Sequence, residues 1–494
     1  MTTLLHLYHG LPISLRSAAA TARGLYLRYW RYGPRTARLV EEALERDTWS
    51  RARWQDWQQV QLAQVLHRAA TQVPYYREQW SLRRRRGDRA SWEVLANWPI
   101  LEKEAVQRYG PGFVADDCAR WRMMCERTSG TTGTPLAIWK TRPMLQGLYA
   151  LSVARTRRWN GVSGNQRWAV LAGQLVVPVA QRKPPFWVWN AALRQLYMST
   201  YHLAADLLPH YHDALLQYRI GYIAGYASSL YAVALEALHL GRQDLSMAVA
   251  LSRAEPLLDH QRAVIAEAFH CPVRETYGMD ENVAAASECT GGRLHTWPEV
   301  GWMEVVADGR PVPPSTPGEF LGTSLLNRGM PLVRYRIGDH GQLADPAEGC
   351  ACGRDLPVIG GIDGRTNDLL LTVDGRPVFW LNPIFYEIPV QQAQIIQETL
   401  ERVQVRYVPG PHFTAQSAAT IAQRLRSRLG QVQVVLQAVT ELPRKNGKLR
   451  AVVCQIPLAE REAILGRAAG VGAPTAGVDA PTAGVDAPTA GRPA

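Results

Sequence analysis

The sequence predicts a mixed α/β protein: a large N-terminal domain of β-sheets with surrounding helices, a small α+β C-terminal domain, and a disordered tail. Three observations carry this prediction. Ala-, Leu- and Val-rich stretches alternate with short β-like runs up to about residue 362. A β–α–β pattern then follows Gly364. From Ala473 the unit Ala-Pro-Thr-Ala-Gly-Val-Asp occurs twice and decays into APTAGRPA. The chain has 494 residues, 47% of them hydrophobic, enough to bury a large core in more than one domain.

Residues 1–56 read as a helical extension. The opening MTTLLHLYHGLPISLRSAAATARG is mildly apolar but has His6, His9 and no basic n-region, so neither a signal peptide nor an anchor is expected. Between Gly24 and Gly33, aromatics and arginines are mixed; a helix packed on the body is the expectation, with contact to a membrane surface as the alternative. Residues 57–73 place Leu62, Val65, Leu66, Ala69 and Val73 at helical spacing, with Pro74 to end the helix. WAVLAG (168–173) and YIAGYASS (222–229) read as β-like runs. The large domain is expected to span 1–363 and the small one 364–461. In the latter, VQVRYV (403–408) reads as a strand, TAQSAATIAQRLRSRL (414–429) as a helix and QVQVVLQAV (431–439) as a strand. Residues 462–494 hold too few sizeable apolar side chains to fold and are expected to be disordered.

Composition narrows the function. Net charge is +12, carried largely by arginine, including Arg83–Arg86. Such a surface attracts polyanions. No recognition helix, zinc finger or RNA-binding signature is present, which argues against nucleic acid; small polyanions such as ATP and coenzyme A suit the same charge. No run of about 18 apolar residues predicts a transmembrane segment. Seven cysteines, an odd and low number, indicate no disulfide framework and fit a reducing cytoplasm.

RTSGTTGTPLAIWKT (127–141) concentrates hydroxyls and glycines from Thr128 to Pro135. Bare N–H and O–H donors on a pliable backbone suit phosphate oxygens, although alone the stretch fits a solvent-exposed linker equally well. It is not a Walker loop, because no lysine stands in register. Further on come SRAEP (252–256), YGMDEN (277–282), VRYRIGDHG (333–341), GRTND (364–368) and PRKNGKLR (443–450).

With these six motifs in this order, the sequence resembles the adenylate-forming superfamily of acyl-CoA synthetases, peptide-synthetase adenylation domains and luciferases. QVPYYRE (72–78), GYASSL (225–230) and CACGRDLP (350–357) make it similar to the phenylacetate–coenzyme A ligase-like branch, including members of capsular polysaccharide gene clusters. The resemblance covers roughly residues 57–455. It implies a carboxylate joined to the α-phosphate of ATP with loss of pyrophosphate, then acyl transfer to a nucleophile. Anion meets anion in that step, so cations and fixed dipoles must offset the repulsion.

The resemblance implies that Thr128, Ser129, Gly130, Thr131 and Gly133 hold the β- and γ-phosphates, with Thr132 among the catalytic groups. Thr134 stands where many relatives have lysine, and Lys140 could substitute. Glu255 and Gly278 join the nucleotide-binding set, and Tyr277 would stack on adenine. Glu281 would bind Mg²⁺, a hard cation suited to carboxylate and phosphate oxygens, although Asp280 departs from the usual Ser or Thr before it. Asp339 would take both ribose hydroxyls, and Arg365 would reach the ribose or phosphates once the small domain closes. Lys448 would bridge the α-phosphate and the attacking carboxylate. The hinge between half-reactions falls at Asn367 in place of the usual Asp or Lys.

Cys289-x₅-His295 and Cys350-x-Cys352 supply three thiols and an imidazole, the donors of a tetrahedral structural Zn²⁺ site. Phe186, Trp187, Trp189, Tyr201 and Tyr226 are candidates to line an apolar pocket for a small-molecule carboxylic acid, with a lean toward an aryl or arylacetic acid. The leading expectation is transfer to coenzyme A. An amine, a hydroxyl or a carrier-protein thiol is the alternative acceptor. A non-catalytic nucleotide-binding scaffold is a third reading, against which Lys448 argues.

Overall fold

The computed structural model describes residues 2–127, 136–164, 166–204, 206–255, 257, 259–362, 370–375, 377–378, 382–385, 388–410, 412–442, 444–445, 448–449, 452–457, 459–461 and 463–464. The Thr/Gly stretch Thr128–Pro135, Arg365, Asn367 and the repeat tail lie outside them, as does the side chain of Lys448.

Among the described residues, the fold is organised by a 13-stranded sheet. Its centre is parallel: Gln195–Ser199, Trp168–Ala172, Tyr222–Gly225, Ala250–Arg253 and Val273–Gly278 lie side by side. Strands such as Ala169, Leu171 and Ile223 are apolar on a fully buried face, as parallel strands covered by helices must be. Helices Leu208–Gln217, Ala227–His239 and Asp259–Phe269 cover that face and form the largest apolar cluster with Leu215, Leu230 and Phe269. From Ala285–Glu288 onward the sheet turns antiparallel, through Leu294–Thr296, Val358–Ile362, Tyr335–Leu343, Gly318–Ser324 and Gly301–Ala307.

The opposite face is roofed by helices Ile13–Arg31, Pro34–Arg46 and Arg142–Ser152. Gly24 explains how closely the first of these lies: a Cβ there would sit 2.1 Å from Asn190 Oδ1 on strand Trp187–Asn190. The expected helix over 57–73 runs Arg51–Gln72, because Ser50 caps it by accepting the Arg53 N–H. Its Leu66 and Ala69 pack, with Val73 just past its end, against Phe113, Ile138 and Leu332. Pro74 does not merely follow this helix; it occupies the first turn of the next, Pro74–Arg85. The β-like reading of 222–229 is corrected in its second half. Strand Tyr222–Gly225 stops at Tyr226, which caps helix Ala227–His239, and the Ala-rich sequence beyond it favours helix.

Residues 390–454 form a separate four-stranded sheet. Strands Arg402–Pro409 and Gln433–Ala438 are parallel and joined by helix Ala415–Leu429, the β–α–β unit expected from the sequence. Thr414 starts that helix with a reciprocal cap to Ser417. Val390–Gln397 and Val452–Cys454 complete the sheet around Ile395, Val403, Val405, Ile421 and Leu425. Among the described residues no helix is long and apolar enough to cross a membrane.

Candidate functional site

The large sheet changes from parallel to antiparallel between Val273–Gly278 and Ala285–Glu288. Crevices at the carboxyl ends of parallel strands, where the order changes, are where open α/β sheets bind ligands. Strand Ala250–Arg253 ends there at Ala254-Glu255, and Val273–Gly278 ends at Met279-Asp280-Glu281. Ala254 and Asn282 both hold left-handed backbone, φ 60° and 54°. Strain of that kind in non-glycine residues collects at functional turns.

Two residues far apart in sequence meet here. The Tyr277 hydroxyl donates to Asp339 Oδ2 at 2.9 Å, and the Tyr277 ring stands edge-on to Phe320. Asp339 lies on Tyr335–Leu343, whose first residue reaches the third motif: Tyr335 donates its hydroxyl to Glu281 Oε1 at 3.0 Å. Glu281 is buried, and its Oε2 has no hydrogen bond among the described residues, which leaves one hard oxygen available to a cation.

Strands Met124–Arg127 and Ala137–Lys140 pair in a hairpin that brackets the Thr/Gly stretch. Lys140 is buried and its Nζ donates to Glu126 Oε2 at 2.5 Å. Its ammonium is therefore engaged within the hairpin. Burial raises the Asp280 carboxyl, Lys140 opposes that, and Glu126 and Glu281 add to it. The departure at Asp280 thus forms part of a compact group of one cation and three carboxyls.

Glu255 is buried and accepts the Ser228 N–H at 2.9 Å, at the start of helix Ala227–His239. The amide end of a helix favours a carboxylate. Burial nevertheless pushes this carboxyl up to about 7, with Ser228 and the Arg428 cation pulling against it. Arg428 comes from helix Ala415–Leu429 of the second sheet and lies 5.6 Å from the Tyr201 ring centre. A raised carboxyl contributes stability that is fully present below its unfolded value of about 4.5 and is lost as pH rises through about 7. Glu255→Gln should remove a pH-dependent loss of about 3 kcal/mol over that window, read as a flatter profile in urea denaturation from pH 4.5 to 8. Glu275, also raised to about 7 by burial and by Glu288, keeps its own share of the slope.

Some distance along the same sheet, Cys289, His295, Cys350 and Cys352 place their ligand atoms within 4.8 Å of one another. Cys289 Sγ lies 3.6 Å from Cys350 Sγ, and Cys352 Sγ lies 3.3 Å from His295 Nε2. Those separations match ligand edges of a tetrahedron with bonds of about 2.0–2.3 Å. The Leu356 carbonyl accepts the His295 Nδ1–H at 3.0 Å, which turns a bare Nε2 toward the thiols. Burial lowers His295 to about 4 and keeps it neutral, and burial pushes the Cys289 thiol up to about 11. For Cys352 burial is outweighed by the Arg354 N–H and neighbouring thiols, and its thiol is lowered. Gly291 closes the cluster: a Cβ there would come within 3.3 Å of Cys350 Sγ.

Residues 371–455 match the family described as the CapK C-terminal domain. The chain is 28% identical to Protein CapK of Staphylococcus aureus, over 50% of this chain and 55% of that protein. It is 28% identical to a phenylacetate–coenzyme A ligase of Thermus thermophilus, over 43% of this chain and 54% of that one. The chain is thus similar, over part of its length, to Protein CapK and to phenylacetate–coenzyme A ligases. It spans about half the length of these curated relatives. A 2-hydroxyisobutyryl-CoA ligase solved with 2-HIB-AMP and CoA in its thioesterification state shares the fold. Its TM-score is 0.55 at 18% identity, covering 85% of this chain and 94% of that one.

The motif residues Tyr277, Gly278, Glu281, Asp339 and Glu255 fall in one region of the large sheet. Lys448 sits in the short strand Lys448–Leu449, paired with Arg444–Lys445. The phosphate-loop residues Thr128–Gly133, Arg365 and Asn367 lie outside the described residues. The aromatic acid pocket needs correction. Phe186 is fully buried, and Trp187 and Trp189 pack on the helix-covered core, because alternate residues of that strand face the helices. Tyr201 and Tyr226 instead converge on Gly173: the Tyr201 hydroxyl donates to its carbonyl at 2.8 Å, and Tyr226 Oη accepts its N–H at 3.1 Å. Sequence reasoning missed Glu126 and Arg428. Their only signal is an acid or a cation placed at the end of an element that faces a motif.

Proposed function

We propose that this protein is an ATP-dependent acid–thiol ligase. A carboxylate oxygen bonds to the α-phosphorus of ATP, the bond to the β-phosphate oxygen breaks, and pyrophosphate leaves. The thiol of coenzyme A then attacks the acyl carbon of the acyl-adenylate and AMP departs. The observation that carries this reading is the Tyr277–Asp339 hydrogen bond, which sets an aromatic face and a diol-binding carboxylate side by side across 62 residues of sequence. Glu281 Oε2 would hold Mg²⁺, which when bound would offset phosphate charge. Mass-spectrometric detection of acyl-AMP across an acid panel tests the first half-reaction, and comparing coenzyme A with amines and a carrier protein tests the second. ATP binding without pyrophosphate release for any acid would remove the ligase assignment.

The Cys289, His295, Cys350 and Cys352 set is assigned to structural zinc, since four donors with a preset imidazole leave no open position. Purified protein should carry about one zinc per chain by metal analysis. Cys350→Ser should weaken zinc retention against a chelator by at least the roughly 10–100-fold that losing an outer hydrogen-bond partner costs.

A further inference from the structure

Three arginines converge between the large sheet and its N-terminal roof. Strand register puts Tyr197, Tyr222, Leu251 and Arg253 on one face, because Val170 pairs with both Tyr197 and Ala224, and Ala224 with Leu251. Arg31, the last residue of helix Ile13–Arg31, lies 4.5 Å from the Tyr149 ring centre. Arg157 lies 5.2 Å from the Trp168 and 5.4 Å from the Tyr222 ring centres, and it hydrogen-bonds Tyr32. Arg253 is close enough to feel Arg157, Tyr222, Tyr149 and Tyr197. Arg31, Arg157, Arg253, Tyr149, Tyr197 and Tyr226 all keep some accessible surface although they lie between sheet and helices, which we take as room for a recess.

These cations have no carboxylate partner among the described residues, and the Nε atoms of Arg31 and Arg157 are buried without a hydrogen-bond partner. The carboxylate that reaches the group, Glu126 beside Tyr149, is already held by Lys140. Arg155 is the internal contrast. Two residues before Arg157 and fully buried, it is matched by Asp47 and Glu299. At Arg155 a buried guanidinium is thus matched by carboxylates. Burial and Arg157 both lower Arg253, with Tyr222, Tyr149 and Tyr197 opposing, whereas at Arg157 burial is opposed by Tyr32 and Tyr222, which help to raise it. Stacking on aromatic faces offsets part of the cost, but mutual repulsion of permanent cations stays until an anion arrives.

The recess adjoins the motifs. Arg253 stands two residues before Glu255, and the Glu126–Lys140 pair that reaches Tyr149 also acts on Asp280. An acid whose reacting carboxylate faces the nucleotide motifs would turn its far end toward the arginines. We propose that the acid activated by this chain carries a second anionic group, seated among Arg31, Arg157 and Arg253. The inference rests on the adenylation reading for the first carboxylate, and it assigns the N-terminal helices a substrate-selecting wall. Guanidinium forks with tyrosine hydroxyls suit a carboxylate or phosphate and reject an apolar tail, which would leave the cations unmatched.

The test uses isosteric pairs that differ in the distal charge: terephthalate against 4-methylbenzoate, and succinate against butyrate. Affinities come from thermal-shift titration of the full chain without ATP. The dianion of at least one pair should bind ten-fold or more tighter than its neutral-tailed partner. Arg253→Met should erase that preference, while Arg167→Gln, an exposed control, should keep it. Equal binding within a pair that binds, or a preference surviving in Arg253→Met, overturns the proposal. The ligand-free melting temperature decides where no probe binds: Arg253→Met should raise it by removing an unmatched cation, and a fall overturns the proposal. Pyrophosphate release with ATP is read separately. Release with neutral acids as fast as with dianions removes the anionic pocket and keeps the ligase. Dianion preference without release from any acid keeps the pocket and removes the ligase.

Discussion

Lys448→Ala should slow acyl-adenylate formation about 10²–10³-fold, a loss of about 3–4 kcal/mol of transition-state stabilisation. The reason is the charge of the step. A carboxylate approaching a triphosphate gains two negative neighbours within bonding distance, and one cation placed between them acts in a water-poor site where its effect is large. The short ladder that joins Lys445 to Lys448 holds the residue at a turn, and it lies within the stretch matched to the CapK C-terminal family. Lys448→Arg should recover only part of the rate, since a planar fork cannot replace a point charge beside a five-coordinate phosphorus. Thioester formation from supplied acyl-AMP separates the roles: a lysine that serves adenylation alone should leave this second half-reaction within about three-fold of the parent, well inside 1 kcal/mol. If Lys448→Ala releases pyrophosphate as fast as the parent, the two-lobed mechanism fails.

What could be read from the sequence was short-range. The run 414–429 reads as a helix, and the 62, 65, 66, 69, 73 spacing reads as an apolar stripe; the structure keeps both. Tyr277 and Asp339 were legible only through the resemblance, since nothing in local pattern says that residues 62 apart share a hydrogen bond. The run 222–229 misled because one apolar stretch serves two elements, with Tyr226 turning strand into helix. Phe186, Trp187 and Trp189 misled because aromatic content is the same in a core and in a pocket; only sheet register separates them. The recess of Arg31, Arg157 and Arg253 was invisible for the same reason. Its residues come from a helix end, a helical turn and a strand end 96 or more residues apart in sequence.

Glu299→Leu should destabilise the fold by about 3–5 kcal/mol, the cost of stranding a buried charge. Arg155 is fully enclosed and gives Glu299 two hydrogen bonds, 2.7 and 3.0 Å, with a third of 3.0 Å to Asp47. Asp47 is itself held by Trp159 Nε1 at 2.7 Å, so the network ties the end of helix Pro34–Arg46 to the body. Removing Glu299 leaves Arg155 with half its counter-charge and no route to water, whereas Arg46, the other partner of Glu299, is partly exposed and can hydrate. The double variant Arg155→Leu/Glu299→Leu should therefore recover at least half of the loss, because replacing both members of a buried pair by apolar groups is far cheaper than removing one. Chemical denaturation of the two single variants and the double measures that coupling directly. Simple additivity across the cycle would mean that Arg155 and Glu299 act on stability through other contacts, and that the N-terminal helices are held to the sheet by packing such as the Gly24–Asn190 approach instead.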